Sequence, residues 1–195
     1  MTRTETLHTL FAKLPEPNQA FEKLLEENAD IITVDKNKPL IPFQSSSRMI
    51  YFVAQGSFIR NIITSRGEKK TVMFHTESFC EFFKPYDTIY FHQKTDYELI
   101  ANENAVIITI DFDRLMNALK DNVAFLQFYI RETEKLFVTV DVFRNFQLGL
   151  TSEEYLDWLY RHYTFIFQRF PAQNIASFMG ITPVWLSKLK AKYIS

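Results

Sequence analysis

The chain has 195 residues, 47% of them apolar, with 22 basic and 23 acidic side chains and a formal net charge of −1. That apolar content excludes a disordered chain, and the length suits one ordinary domain with a small second one. Near-neutral charge excludes a surface that grips nucleic acid all over, so any such contact has to be local. The single cysteine, Cys80, leaves no disulfide framework, cysteine zinc finger or four-cysteine iron–sulfur site. Twenty Phe and nine Tyr against four Gly predict thick aromatic packing. No apolar run approaches the ~18 residues of a membrane span, and MTRTETLHTLF has no signal-peptide core, so a reducing cytoplasm is the expected location.

Residues 5–13 and 18–28 read as short helices; Phe21, Leu24 and Leu25 form the apolar stripe of the second. From Asp30 to about Ile110 the pattern becomes short β-rich runs: Ile31–Val34, Met49–Ala54, Ser57–Thr64, Lys70–His75, Tyr97–Ala101 and Val106–Ile110. Turn signals at 35–39, 55–56, 65–67 and 102–104 separate them, and the absence of long helices between them predicts an antiparallel sandwich or barrel. Asp111 is placed to cap a short helix over 112–119, and Asp121 or Asn122 a long one to about Gln147, with Gly149 as terminator.

Along the long helix Leu126, Tyr129, Thr133, Leu136, Val140 and Phe143 recur every three or four residues. Phe125, Phe128, Ile130, Phe137 and Phe146 add apolar positions off that seam, so the helix is buried on more than one side. A matching helix of a second copy is the economical partner, giving a homodimer through residues about 122–147; a fully buried intramolecular helix is the alternative. Thr151 and Glu154 form a capping box opening a helix that carries Tyr155, Leu156, Leu159, Tyr160, Tyr163, Ile166 and Phe167. The hinge at 148–150 is the expected boundary between domains 1–147 and 148–195.

Residues 171–195 read as a helix-turn-helix. Ala176 permits a close helix crossing, Gly180 supplies positive φ in the turn, and Thr182 and Pro183 suit the N-cap and first turn of the second helix. Ile175, Met179, Ile181, Leu186 and Leu189 are the positions such a motif buries. Lys188, Lys190 and Lys192, with no acidic residue in this stretch, point to DNA; a plain helical hairpin with a solvated basic tail is the alternative.

The order helix, β-region, long helix, hinge, helix-turn-helix resembles the cyclic-AMP receptor protein / fumarate-nitrate regulator (CRP/FNR) family, over almost the whole chain. It is most similar to the short branch common in Bacteroidetes. Residues 50–56 and 66–72 look like the family's β-roll strands; Ser152–Leu156, Ile175–Ser177, Gly180–Pro183 and Leu186–Ser187 match the C-terminal part. The fold implied is α+β: an N-terminal β-roll of the cyclic-nucleotide-binding type, a long dimerisation helix and a helix-turn-helix without a wing. The function implied is an effector-sensing dimeric transcription regulator of double-stranded DNA. Thr182, Pro183, Val184, Ser187 and Lys188 would face the groove, with Lys190 and Lys192 toward the backbone. Trp185 is expected at the DNA backbone or packed in a core or interface.

The family's cyclic-AMP binders pair a glutamate beside glycine with a later arginine. Here Glu81 has no neighbouring glycine, and no arginine lies between Arg66 and Arg114. A small-molecule effector other than a cyclic nucleotide is therefore expected, in an apolar pocket walled by Phe79, Phe82, Phe83 and Tyr97. Glu81 and Lys84 are further candidates for the pocket; Lys84 or Lys94 would serve only as a point charge, and the favoured alternative makes Glu81 and Lys84 solvated loop residues. His8, His75, His92 and His162 are dispersed, Cys80 beside Glu81 is a poor nucleophile, and no phosphate loop occurs, so neither metal, cofactor nor enzymatic activity is expected. Two other functions stay open: an interaction module with a decayed reader, and a small β-roll enzyme.

Overall fold

A computed structural model describes residues 2–14 and 19–194; residue 18, expected in the second helix, lies outside them. Two short helices, α1 (Arg3–Phe11) and α2 (Gln19–Asn28), precede eight strands: β1 (Asp30–Val34), β2 (Pro39–Ile41), β3 (Met49–Gln55), β4 (Ser57–Ile63), β5 (Lys69–Thr76), β6 (Phe82–Phe83), β7 (Tyr97–Ala101) and β8 (Ala105–Asp111). A short helix α3 (Tyr86–Tyr90) interrupts them. The strands form two four-stranded antiparallel sheets, ordered β1-β8-β3-β6 and β2-β7-β4-β5. All six expected strands are present. Three elements were not expected, each for a physical reason. Strand β2 carries Pro39, which an edge strand tolerates because its missing N–H costs no ladder bond. Strand β6 has two residues, and α3 a single turn, both too short to show a period.

Apolar residues run continuously along β3 because both faces of its sheet are covered. Tyr51 and Val53 face the opposite sheet; Ile50 and Phe52 join a second apolar cluster with Leu7, Leu10, Phe21, Leu25 and Leu115 of the helices. The long helix α5 (Val123–Gly149) bridges both clusters, Phe125, Phe128 and Tyr129 entering one and Leu136 and Phe143 the other. Asp111 and Asn122 cap α4 (Phe112–Leu119) and α5 as expected, accepting from the backbone N–H of Arg114 at 2.8 Å and of Phe125 at 3.0 Å. No helix of the described residues is long and apolar enough to cross a membrane.

The Thr151–Glu154 capping box opens α6 (Ser152–His162), but the expected continuous helix through Phe167 is broken. Tyr163 leaves helical geometry at φ −138°, ψ 44°, and α7 (Thr164–Arg169) starts in a new direction. The Thr164 hydroxyl donates to the Tyr160 carbonyl at 2.6 Å, closing the end of α6, and the Tyr163 ring turns inward onto Phe79, Phe143 and Trp158. The hinge at 148–150 changes chain direction without interrupting the core. The cluster containing Val53 and Phe74 continues through Leu156 and Ile166 to Leu186 and Leu189.

Gly56, between β3 and β4, holds φ +104°, and a Cβ there would lie 2.6 Å from the Ala105 Cβ. Gly56→Ala thus combines backbone strain with a clash against β8. We expect it to lower stability by about 2–5 kcal/mol, read as a lower urea midpoint at unchanged slope; an unchanged midpoint would contradict the close approach.

Candidate functional site

The C-terminal motif is built as its sequence requires. Helix α8 (Ala172–Met179) ends at Gly180 with φ +74°, and the Ile181 N–H reaches back to the Ala176 carbonyl at 3.0 Å. Helix α9 (Pro183–Ile194) is capped by Thr182, whose hydroxyl accepts from the Trp185 N–H at 3.1 Å. Ile175, Ala176, Met179, Leu186 and Leu189 are buried; Ile181 is half-buried at the edge. The opposite side of α9 exposes Thr182, Pro183, Val184, Trp185, Ser187 and Lys188 together. Trp185 is thus a surface residue and not a core one. Lys190 lies over the Phe167 ring at 5.1 Å, where burial lowers its pKa, and Lys192 bridges to Glu153 at 3.6 Å. Of the three lysines, Lys188 is the one held neither by a ring nor by a carboxylate among the described residues.

The motif is docked on the sheet. The Thr71 N–H donates to Ser177 Oγ at 3.0 Å, Asn174 to Thr71 Oγ1 at 3.1 Å, and Gln147 of α5 to the Phe178 carbonyl at 3.0 Å. Phe74 packs on Phe170 and Phe178. Arg169 grips Glu77 with two bonds at 2.7 and 2.8 Å and Glu103 with a third at 2.7 Å. Its guanidinium holds the Glu77 carboxyl below its ordinary pKa against the opposing effect of burial.

The expected effector pocket is not formed by the expected residues. Phe83 and Tyr97 are core residues of the inter-sheet cluster, Phe82 faces Phe128 and Tyr129 in the other cluster, and Phe79 packs on Phe143, Tyr163 and Phe165. Nor are Glu81 and Lys84 solvated: they are 3% and 2% exposed. Glu81 is neutralised by Lys13 at 3.4 Å and Lys135 at 3.3 Å, so its carboxylate serves the junction of the roll and α5. Lys84 sits among the rings of Tyr129, Tyr86, Tyr90 and Phe112, at 3.8, 5.0, 5.3 and 5.8 Å, and donates to the Tyr129 hydroxyl.

A cavity of about 450 Å³ lies instead between β4, α3 and α5, with Arg60, Asp87, Tyr86, Tyr90, Thr133 and Phe137 in its lining. Arg60 lies over the Tyr97 ring at 3.7 Å, and its Nε is buried without a hydrogen-bond partner among the described residues. Burial, and then the charge of Asp96, raise the Asp87 pKa; burial pushes the Tyr86 hydroxyl up to about 12. The cavity has the arginine that residues 67–113 lack, supplied from the preceding strand. A register shift between Arg60 and Asn61 re-aims that side chain. The available signal was the single charged residue of β4.

The seam on α5 is also redrawn. Tyr129, Leu136 and Phe143 face the protein's own core, and Leu126 and Thr133 are half-buried. The outer face carries Ile130, Phe137, Val138, Val140 and Leu148, exposed by 42–75%. Val140 alone of the expected seam belongs to it. Phase decides this: Ile130 and Phe137 are seven apart, as are Tyr129 and Leu136, so the two stripes run parallel one residue out of step.

No protein-family model matches the chain, and no curated protein matches its sequence. Solved structures do. A CooA mutant from Carboxydothermus hydrogenoformans is similar at TM-score 0.71 and 14% identity over 95% of this chain and 83% of that one. FixK2 from Bradyrhizobium japonicum gives 0.65 and 13% over 84% and 83%. The c-di-GMP-responsive global regulator CLP of Xanthomonas campestris gives 0.65 and 11% over 89% and 90%. These neighbours are CRP/FNR-family regulators, and the chain shares their fold.

Lys84 makes the buried region pH-sensitive. No carboxylate pairs with it among the described residues, and burial lowers its pKa from 10.5 to about 7. Between those values the unfolded chain holds a proton that the folded chain has released, so stability rises with pH across the interval. Below pH 9, where the thiol of an unfolded Cys80 stays protonated, Lys84→Met is expected to flatten the rise in unfolding free energy above pH 7. Urea titrations across that window check it; equal slopes in both proteins would show that Lys84 keeps its proton when folded.

Proposed function

We propose that the protein is an effector-sensing, dimeric transcription regulator that reads double-stranded DNA through α9. The observation that carries this reading is the exposed surface of Thr182, Pro183, Val184, Ser187 and Lys188 above the buried Leu186 and Leu189, on a fold shared with named regulators. Its two hydroxyls and one ammonium suit phosphate and base-edge contacts, and Val184 a thymine methyl. The exposed stripe of Ile130, Phe137, Val140 and Leu148 supports a second copy as the partner of α5. The Arg60 cavity supports an effector with an aromatic body and one anionic group, because its walls are rings and its one arginine has an unused donor. A cyclic nucleotide is disfavoured, since Glu81 is committed to Lys13 and Lys135. In this mechanism effector binding shifts the α5 pair and re-spaces two reader helices toward half-sites roughly 34 Å apart.

The DNA test is fluorescence anisotropy with promoter fragments around the protein's own gene, at several salt concentrations. A specific fragment should bind more tightly than random DNA, with affinity falling steeply as salt rises. Lys188→Ala should weaken the specific fragment by roughly 1–3 kcal/mol and narrow its advantage over random DNA. If no fragment is preferred, with or without cell extract as an effector source, the interaction-module reading takes over. The exposed Val184 and Trp185, at 67% and 44%, are what favour that second reading.

The dimer is tested on the outer stripe, because substituting Leu136 would strike the protein's own core. Replacing Ile130 and Phe137 with Glu puts like charges at the proposed seam while both positions are more than half exposed. Light scattering should report a dimer for the wild type and a monomer for the variant, with thermal melting still cooperative. A wild-type monomer at micromolar concentration contradicts the dimer.

A further inference from the structure

The side chain of Lys84, which follows β6, ends in a cage of rings drawn from three helices: Tyr86 and Tyr90 of α3, Phe112 of α4 and Tyr129 of α5. Polar atoms lead out of that cage. Lys84 Nζ donates to the Tyr129 hydroxyl, and the Tyr129 and Tyr90 hydroxyls share a hydrogen bond of 3.0 Å. Tyr90 is half exposed, so the chain of three groups runs from a buried nitrogen to the surface. Tyr86 and Tyr90 also belong to the lining of the Arg60 cavity, so the cage shares a wall with it. Beyond the Phe112 ring the charges are matched to each other: Arg48, 5.8 Å from its centre, is held by Asp113 with bonds at 2.7 and 2.8 Å.

We propose that Lys84 is a covalent site for small apolar aldehydes, captured as an imine inside the ring cage with the Tyr129 hydroxyl as proton donor. Imine formation needs an amine with a free lone pair and an acid that releases water. An ordinary lysine, with a pKa of about 10.4, is almost wholly protonated near neutral pH. Desolvation in the cage brings Lys84 down to about 7, which frees the lone pair. The nitrogen attacks the carbonyl carbon, the C–N bond forms, and the proton lost from nitrogen ends on the carbonyl oxygen as a carbinolamine. Tyr129 then protonates that hydroxyl, the C–O bond breaks, water leaves, and the nitrogen lone pair closes the C=N bond. The iminium returns its proton to the Tyr129 phenolate, so the balance is amine plus aldehyde to imine plus water. No oxidant or reductant is consumed.

The surroundings set the class of aldehyde. Rings present electron-rich faces, which accept an apolar body and disfavour an anionic one. A neutral imine asks for no counter-ion, and among the described residues the cage supplies no carboxylate. Entry past Tyr86 and Tyr90 to a side chain 2% exposed restricts the size. An adduct would press on Tyr86, which packs on Phe137 of α5 with ring centres 5.1 Å apart. Use of the adduct as a signal rests on the proposed function; its formation does not.

The experiment treats the full-length chain with propanal and cyanoborohydride at pH 7.5, and maps the reduced propyl adducts against time by peptide mass spectrometry. Lys84 should be modified about tenfold or more faster than the exposed Lys36. In urea above the unfolding midpoint that preference should vanish. Tyr129→Phe should slow modification at Lys84 by about tenfold or more and leave the rate at Lys36 unchanged. Thermal melting reports whether the variant folds; if it melts early, Tyr90→Phe, at the half-exposed end of the chain, should slow Lys84 severalfold without touching Lys36. The proposal is overturned if Lys84 reacts no faster than Lys36, if its preference persists in the unfolded chain, or if a folded Tyr129→Phe variant reacts at the wild-type rate.

Discussion

Helix α5 has to bury one face in two places at once, and most of the architecture follows from that. Its first half closes the cluster formed by α1, α2, α4 and the outer face of one sheet; its second half enters the inter-sheet core that runs on into α6 through α9. Phe125, Phe128, Tyr129, Leu136 and Phe143 do this from one stripe. Each large apolar side chain removed from water contributes roughly 1.5–3 kcal/mol, so the register of this helix is strongly specified. The registration of the roll against α6 through α9 is then a consequence of where α5 is held.

Two cavities flank the helix, and both are products of that registration. One side brings Arg60, Tyr86 and Thr133 together, the other Lys70, Arg144 and Phe178, and Val140 borders both. Helix α5 lines both cavities and is tied to α8 by the Gln147 hydrogen bond to the Phe178 carbonyl. Arg169 adds a polar latch whose two carboxylate partners come from separate turns of the roll.

Charge placement separates buried groups that are paired from those that are not. Glu81 and Glu98 are buried and each is met by a lysine, which is how a buried carboxylate stays ionised without great cost. Among the described residues Lys84 has rings and a phenol around it and no carboxylate, and desolvation outweighs what those rings return. Arg60 Nε is buried and has no hydrogen-bond partner among the described residues. A guanidinium cannot shed its proton as Lys84 can, so an arginine in a cavity calls for an anion where a lysine can simply go neutral.

The elements whose signal is local were legible in the sequence. The six long strands show period-two patterning or continuous apolar runs, Asp111, Asn122 and Thr151 announce helix starts, and Ala176, Gly180, Thr182 and Pro183 specify the helix-turn-helix by backbone geometry alone. The exposed face of α9 follows from helical period once Leu186 and Leu189 are buried. What only the tertiary structure decided is which of two parallel apolar stripes on α5 turns inward, because both have the same spacing and differ by one residue in phase. The effector region was misread for a related reason. Its aromatic residues are indistinguishable by type from core residues, and Phe82 and Phe83, adjacent in a strand, point to opposite clusters. Arg60 is distant in sequence from the helices that complete its cavity, and a local shift in register aims it there, so no spacing rule connects them.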